Sequence, residues 1–193
     1  YLYHYFEKGR TPFLTLSDLS DEEAIKIHNS LEEEGNIFAK RNSDGKYMYY
    51  RRIIEKWLYS TFVQKGGKPE RQTPYYMILG ECDRCKSWFK NGDFIKIPLD
   101  EFDKDTLSFT YGDSFPTFDP SHGQKQEYRR NVYTYDEIWD IIKKYGMPQD
   151  VVKWTDDTPY WVPAYVEVQV WSDKTINRYK QIQIIACFDD LSL

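Results

Sequence analysis

Cysteine is scarce and odd in number: three in 193 residues. An odd count argues against a disulfide-stapled scaffold and favours a reducing, cytoplasmic setting. Histidine is equally scarce, and His4, His28 and His122 lie far apart in the chain. The single C-x-x-C, Cys82-Asp83-Arg84-Cys85, has neither a second pair nor paired histidines. A structural zinc site needs four ligands, so no metal is expected. The pair precedes a short helical stretch, which is where a redox dithiol sits; ordinary buried thiols are the plainer reading. The glycine-rich nucleotide loops, the zinc-protease helix and the serine nucleophile elbow are all absent. No apolar run approaches the roughly 20 residues that cross a bilayer, so no membrane association is expected. No secretory leader is visible at an N-terminus that opens on Tyr1. Basic charge is in deficit: 26 Lys and Arg against 31 Asp and Glu, a net charge of −5. That weighs against a general nucleic-acid binder, which needs a basic face, and no general nucleic-acid binding is expected.

Aromatic side chains are abundant, at 18% of residues, with 17 Tyr and six Trp. Such rings line core edges, interfaces and ligand clefts alike. Charge is unevenly distributed. Residues 18–34 carry seven acids and one Lys, whereas residues 40–71 carry nine basic residues against three acids. Two neighbouring helices of opposite sign account for this by mutual screening.

Residues 1–5 read as a first strand. Ser20 and Glu23 form a capping box, and Ala24, Ile27 and Leu31 share a face of the helix that follows. A second helix spans about 46–65, with Tyr47, Tyr50, Ile54, Trp57, Leu58 and Thr61 at helical spacing and a joint at 42–45. Strands follow at 75–79, 94–97 and 106–111, with a short helix near 82–90. Thr134 and Glu137 form a second capping box, opening a helix that ends at Gly146. Residues 165–171 alternate strictly: Val166, Val168 and Val170 face one way, Tyr165, Glu167, Gln169 and Trp171 the other. Ile182, Ile184 and Ile185 are expected in a last strand, pairing back as a hairpin. The polar stretch 119–130 reads as a surface loop, and the sequence does not distinguish a lid from a plain long loop. The order lacks a βαβ rhythm and predicts one α+β domain over 1–193: a mixed or antiparallel sheet, an N-terminal helical hairpin and one later helix packed on it.

The run SFTYGDSFP at 108–116 places hydroxyls, a Tyr and an Asp at the end of a strand. With the polar face of 165–171 it is expected to wall a small-ligand cleft. The ligand-binding candidates are Ser108, Asp113, Ser114, Tyr165, Gln169 and Trp171.

Two resemblances add to this. The segments YHY at 3–5, FTYGDSF at 109–115 and VQVW at 168–171 resemble those of a family of bacterial proteins that carries no assigned activity. The resemblance implies a bacterial origin and one shared fold. The order of His4, Tyr111 and Glu167 is similar in layout to ADP-ribosyltransferase-like folds. That similarity implies NAD or a related nucleotide as cofactor or substrate. The His would hold the ribose, the Tyr would stack on nicotinamide, and the Glu would stabilise an oxocarbenium-like state. A third reading is a module whose exposed Tyr and Trp bind a protein partner.

Overall fold

A computed structural model describes residues 1–34, 46–119, 126–155 and 157–189, with 182–189 as backbone only. Five strands, β1 (Leu2–Glu7), β2 (Tyr75–Leu79), β3 (Gly92–Ile97), β4 (Leu107–Tyr111) and β5 (Val166–Val170), form one sheet. Their order is β3-β1-β2-β5-β4 and every pairing is antiparallel. Among the described residues the α-helices are α1 (Asp21–Glu33), α2 (Tyr47–Gln64), α3 (Asp83–Lys86), α4 (Ser114–Phe118), α5 (Glu137–Tyr145), α6 (Pro148–Val151) and α7 (Lys174–Asp189). The architecture is α+β, as the element order predicts. No helix among the described residues is long and apolar enough to cross a membrane.

The two capping boxes form as read. Ser20 and Glu23 exchange hydrogen bonds at the start of α1, and Thr134 and Glu137 do so before α5. The alternation in β5 also holds. Val166, Val168 and Val170 join Leu107, Phe109 and Met77 in the main core, under Ile138 of α5 and Ile176 of α7. Each such side chain, fully buried, contributes about 1.5–3 kcal/mol relative to exposure. On the opposite face, Trp171 packs under Leu58 and Phe62 of α2. Tyr3 and Tyr5 pack with Cys85 of α3. With helices on both sides, even the polar residues of β5 are buried.

Three expectations need correction. The last segment is helical, not a strand. β5 is paired on both sides, by β2 and β4, so no edge is left for a strand returning against it. On α1, His28 is buried while Ile27 is 42% exposed, so the apolar face is rotated by one position. On α2, the buried residues are Tyr47, Met48, Arg51, Glu55, Leu58 and Phe62, and Tyr50 and Trp57 face outward. The expected joint at 42–45, Gly35 after the first helix, and the 120–125 part of the expected surface loop, with His122, lie outside the described residues.

The sheet has one opening. β1 pairs with β3 over six residues but with β2 only at Leu2↔Leu79 and Tyr3↔Ile78. Beyond Tyr3 the strands diverge, and His4 bridges the gap. Its Nε2 accepts the Phe13 N–H at 2.9 Å, and its Nδ1 lies 3.3 Å from the Tyr76 carbonyl oxygen. Nε2 as acceptor leaves the proton on Nδ1, which then donates to that carbonyl. Burial lowers the pKa of His4 to about 4 and keeps the ring neutral, as this pairing requires. Phe13, stacked on His4 at 4.3 Å, sits at φ 58. A non-glycine residue in that region is held by its surroundings at a cost of about 1–3 kcal/mol.

Candidate functional site

The site is built where β4 ends and β5 begins. Gly112 leaves β4 at φ 107, and a Cβ there would meet Thr117 Oγ1 at 3.3 Å and Pro163 Cβ at 3.4 Å. Glycine is therefore required for the turn. The turn delivers Asp113, whose Oδ1 accepts the Phe115 N–H at 2.8 Å and caps α4. Its Oδ2 accepts the Tyr165 hydroxyl at 3.1 Å.

Glu167 projects from the middle of β5, opposite Thr110 in the register. Its Oε1 accepts from Gln169 Nε2 at 3.0 Å. The Ser114 hydroxyl and amide also donate to this carboxylate. Burial first, and then the negative charge of Asp113, push its pKa up to about 8. Glu167 therefore holds a proton at neutral pH, with a second carboxyl beside it. One group that donates next to one that accepts is the arrangement of acid–base chemistry.

Above this floor lies a cavity of about 1090 Å³. Asp113, Ser114, Tyr165 and Glu167 border it from below, Tyr47 and Arg51 from α2, and Tyr3 and Tyr5 from β1. Arg51 is held from all sides. Its Nε donates to Ser17 Oγ at 2.6 Å and to Glu55 Oε1 at 3.1 Å, Nη1 to the Tyr47 hydroxyl at 2.6 Å, and Nη2 to Thr15 Oγ1 at 3.2 Å. The Tyr76 hydroxyl donates to the same Glu55 oxygen at 3.1 Å, and the guanidinium lies 4.8 Å from the Tyr76 ring centre. A charged pair this deep needs every partner, because losing one strands the other in low dielectric. His28 also borders the cavity, stacked on Tyr47 at 4.8 Å, and its Nε2 has no hydrogen-bond partner among the described residues.

The sequence candidates divide into three groups. Asp113, Ser114, Tyr165 and Glu167 come together at the cavity floor. Ser108, Gln169 and Trp171 do not reach it. Each is wholly buried. Ser108 donates to Gln169 Oε1 at 2.7 Å, Trp171 Nε1 donates to Ser108 Oγ at 2.8 Å, and Gln169 Nε2 donates to Thr110 Oγ1 at 3.3 Å. Together they form a closed, buried hydrogen-bond network. Tyr111 faces the valine side, donates to the Gly146 carbonyl at 2.9 Å and packs against Tyr128 and Tyr145. The set of His4, Tyr111 and Glu167 does not converge. His4 lies in register with Leu2 and Phe6, whose side chains share Tyr111's face, and Glu167 lies on the other. Two strands separate β1 from β4, so His4 and Tyr111 are about 14 Å apart by strand spacing alone. His4 touches only the far end of the cavity, through the gap beside β2.

Sequence reasoning missed Tyr47, Arg51, Glu55 and Tyr76 as residues of the site. The spacing 47, 51, 55, 58, 62 is itself helical, and an i,i+4 pair of opposite charges on that stripe is the signal that finds them. Among the described residues, no three His, Cys, Asp or Glu side chains gather as a metal-sized group. The chain matches no family model, no curated protein and no solved structure with which it was compared.

Proposed function

We propose that this chain is a bacterial, cytoplasmic small-ligand-binding protein, with its site in the cavity over the polar face of β5. The observation that carries this is the carboxyl pair Asp113 and Glu167 at the floor of a roughly 1090 Å³ aromatic-walled cavity. Ligand sites are concave and mostly apolar, with a few convergent polar groups, and those groups carry perturbed pKa values. Aromatic walls suit a planar or ring-bearing ligand, and the carboxyl pair suits its hydroxyl or amine groups. His28 Nε2, which has no hydrogen-bond partner among the described residues, offers one more polar contact to the cavity. The resemblance of the YHY, FTYGDSF and VQVW segments supports the bacterial origin, and the free thiols Cys82 and Cys85 support a reducing compartment.

Turnover of NAD or a related nucleotide is the enzymatic form of this reading, with Glu167 as the acid. It draws no support from Tyr111, which lies on the other face of the sheet, and His4 borders the cavity only across the gap beside β2. The test is a thermal-shift screen with NAD, ADP-ribose, other nucleotides and small polyols and amines. Ligand bound to the native state alone raises the melting temperature by mass action. The reading expects at least one compound to raise it in the wild type and not in Glu167→Gln or Asp113→Asn. Equal shifts in all three proteins, or none in any, would count against it.

A second reading, docking of a protein partner, is favoured by the outer face of α2. Tyr49, Ile53 and Trp57 are 65%, 49% and 38% exposed there at i,i+4 spacing. Sedimentation of Ile53→Ser against the wild type tests it: loss of self- or hetero-association in the variant supports it, and two identical monomers oppose it.

A further inference from the structure

Cys82 and Cys85 have no part in the chemistry assigned to the carboxyl site, although Cys85 borders its cavity. They open α3 with sulfur atoms 3.2 Å apart, the Cys85 thiol donating to Cys82. A disulfide is about 2.05 Å long, so closure asks for a movement of only about 1 Å. The two sulfurs are placed unequally. Cys85 is 1% exposed and Cys82 3%, both within the apolar cluster of Tyr3, Ile78 and Tyr165, and Cys85 borders the 1090 Å³ cavity. Cys82 borders a second cavity, of about 380 Å³, together with Arg84, Gln149, Trp154 and Ala164. The two cysteines thus border different cavities, Cys82 the smaller and Cys85 the larger. The smaller chamber is also held in shape. The Tyr5 hydroxyl accepts the Cys82 N–H at 2.7 Å, and Arg84 lies 4.0 Å over the Trp154 ring.

We infer that Cys82 and Cys85 are a redox-active dithiol that reduces a low-molecular-weight disulfide admitted through the 380 Å³ cavity, with Cys82 attacking and Cys85 resolving. In the first step the Cys82 thiolate attacks one sulfur of the small disulfide. A mixed disulfide forms, and the other half leaves as a thiolate that takes a proton from water. In the second step the Cys85 sulfur attacks Cys82 Sγ. Its proton passes to the second departing thiolate, and the Cys82–Cys85 bond closes. Two electrons pass from the protein to the small disulfide, which leaves as two thiols.

The division of labour has a physical cause. The hydrogen bond from Cys85, with the Arg84 and Cys85 amides and the Arg84 charge, lowers the pKa of Cys82 to about 7 against its burial. Burial and the adjacent Cys82 push Cys85 far up. Thiolate fraction sets which sulfur attacks first. The other ionisable groups facing Cys82 are Glu81, Asp83 and Asp150 around the chamber, and Tyr5 behind it.

The test uses the full chain and hydroxyethyl disulfide as probe, with alkylation after denaturation and peptide mapping. In the wild type, Cys82 and Cys85 should become linked and escape alkylation together, at a rate that climbs through about pH 7. Cys85→Ser should stop at a mixed disulfide on Cys82. Cys82→Ser should form an adduct at Cys85 at least about tenfold more slowly. Two alkylated cysteines after exposure of the wild type would overturn the inference, as would equal rates in the two variants. Should the variants fail to fold, the first adduct at short times in the wild type decides: on Cys82 it upholds the inference, and on Cys85 it overturns it.

Discussion

The polar face of β5 has two halves, made from one strand and facing one way. Gln169 and Trp171 form the closed half, where amide and indole each donate to a partner and α2 seals the surface. Tyr165 and Glu167 form the open half, where a carboxyl with its pKa raised to about 8 sits beside a second carboxyl under a cavity. Both halves hold buried polar groups, so burial alone does not mark a site. Both are hydrogen-bonded, and what differs is the presence of ionisable carboxyls. A saturated network of hydroxyl, amide and indole fixes the strand's neighbours. Two adjoining acids, held against solvent and against each other, are kept at a cost in stability that structure alone does not require.

The largest effect should come from the closed half. Trp171→Ala removes a fully buried indole under Leu58 and Phe62 and is expected to cost about 3–5 kcal/mol, seen as a lower urea midpoint. Ligand-induced shifts should survive in whatever fraction folds. Loss of binding at full stability would erase the distinction between the halves.

Next comes a pH effect confined to the open half. Glu167 carries a raised pKa in the fold, so the native state holds a proton that the unfolded chain releases. Its contribution is present below the usual carboxylate pKa and is lost as pH rises to about 8. A tenfold difference in proton affinity between the folded and unfolded states is worth about 1.4 kcal/mol, so the loss amounts to a few kcal/mol. His4 works with the opposite sign. Its lowered pKa makes its contribution complete above the usual histidine value and lost as pH falls through about 4. Between the usual carboxylate and histidine values the two slopes oppose each other, and above the histidine value only that of Glu167 remains. Denaturant melts across pH should therefore show Glu167→Gln gaining on the wild type from weakly acidic pH to about 8. A constant difference would remove the buried-acid interpretation.

Ser108→Ala should cost about 1–3 kcal/mol, because Gln169 Oε1 loses a donor and Trp171 Nε1 its acceptor. Its pH dependence should match that of the wild type, which separates the closed half from the open one in the same melts. Asp113→Asn, at the small end, should cost about 1 kcal/mol or less, since the amide oxygen still caps α4. Its effect should instead appear as a lower Glu167 pKa, because a negative neighbour is gone.

Local signals were the legible ones. The capping boxes of α1 and α5 and the two-residue alternation of β5 depend on neighbours in sequence, and each forms as read. Asp113, Ser114, Tyr165 and Glu167 could be named because two polar-aromatic segments stand out along the chain. Two further features depended on contacts distant in sequence. The Ile182–Ile185 region has β-branched residues that suit a strand, yet β5 has no free edge to receive one. His4 and Tyr111 were placed with Glu167 by order along the chain, and strand parity sends them to the other face. Arg51 and Glu55 stand in the basic stretch 40–71, where charge alone suits a solvated helix face. Ser17, Tyr47 and Tyr76 make their burial tolerable, and two of these lie more than 20 residues from Glu55.

The central claim is that Glu167 is a protonated acid beside Asp113 at neutral pH. A carbon-13 NMR titration of side-chain carboxyls in glutamate-labelled protein, assigned with Glu167→Gln, measures it directly. The expected result is one carboxyl titrating near pH 8 that is absent in the variant. A Glu167 signal that titrates with the ordinary glutamates, near pH 4.5, would contradict it.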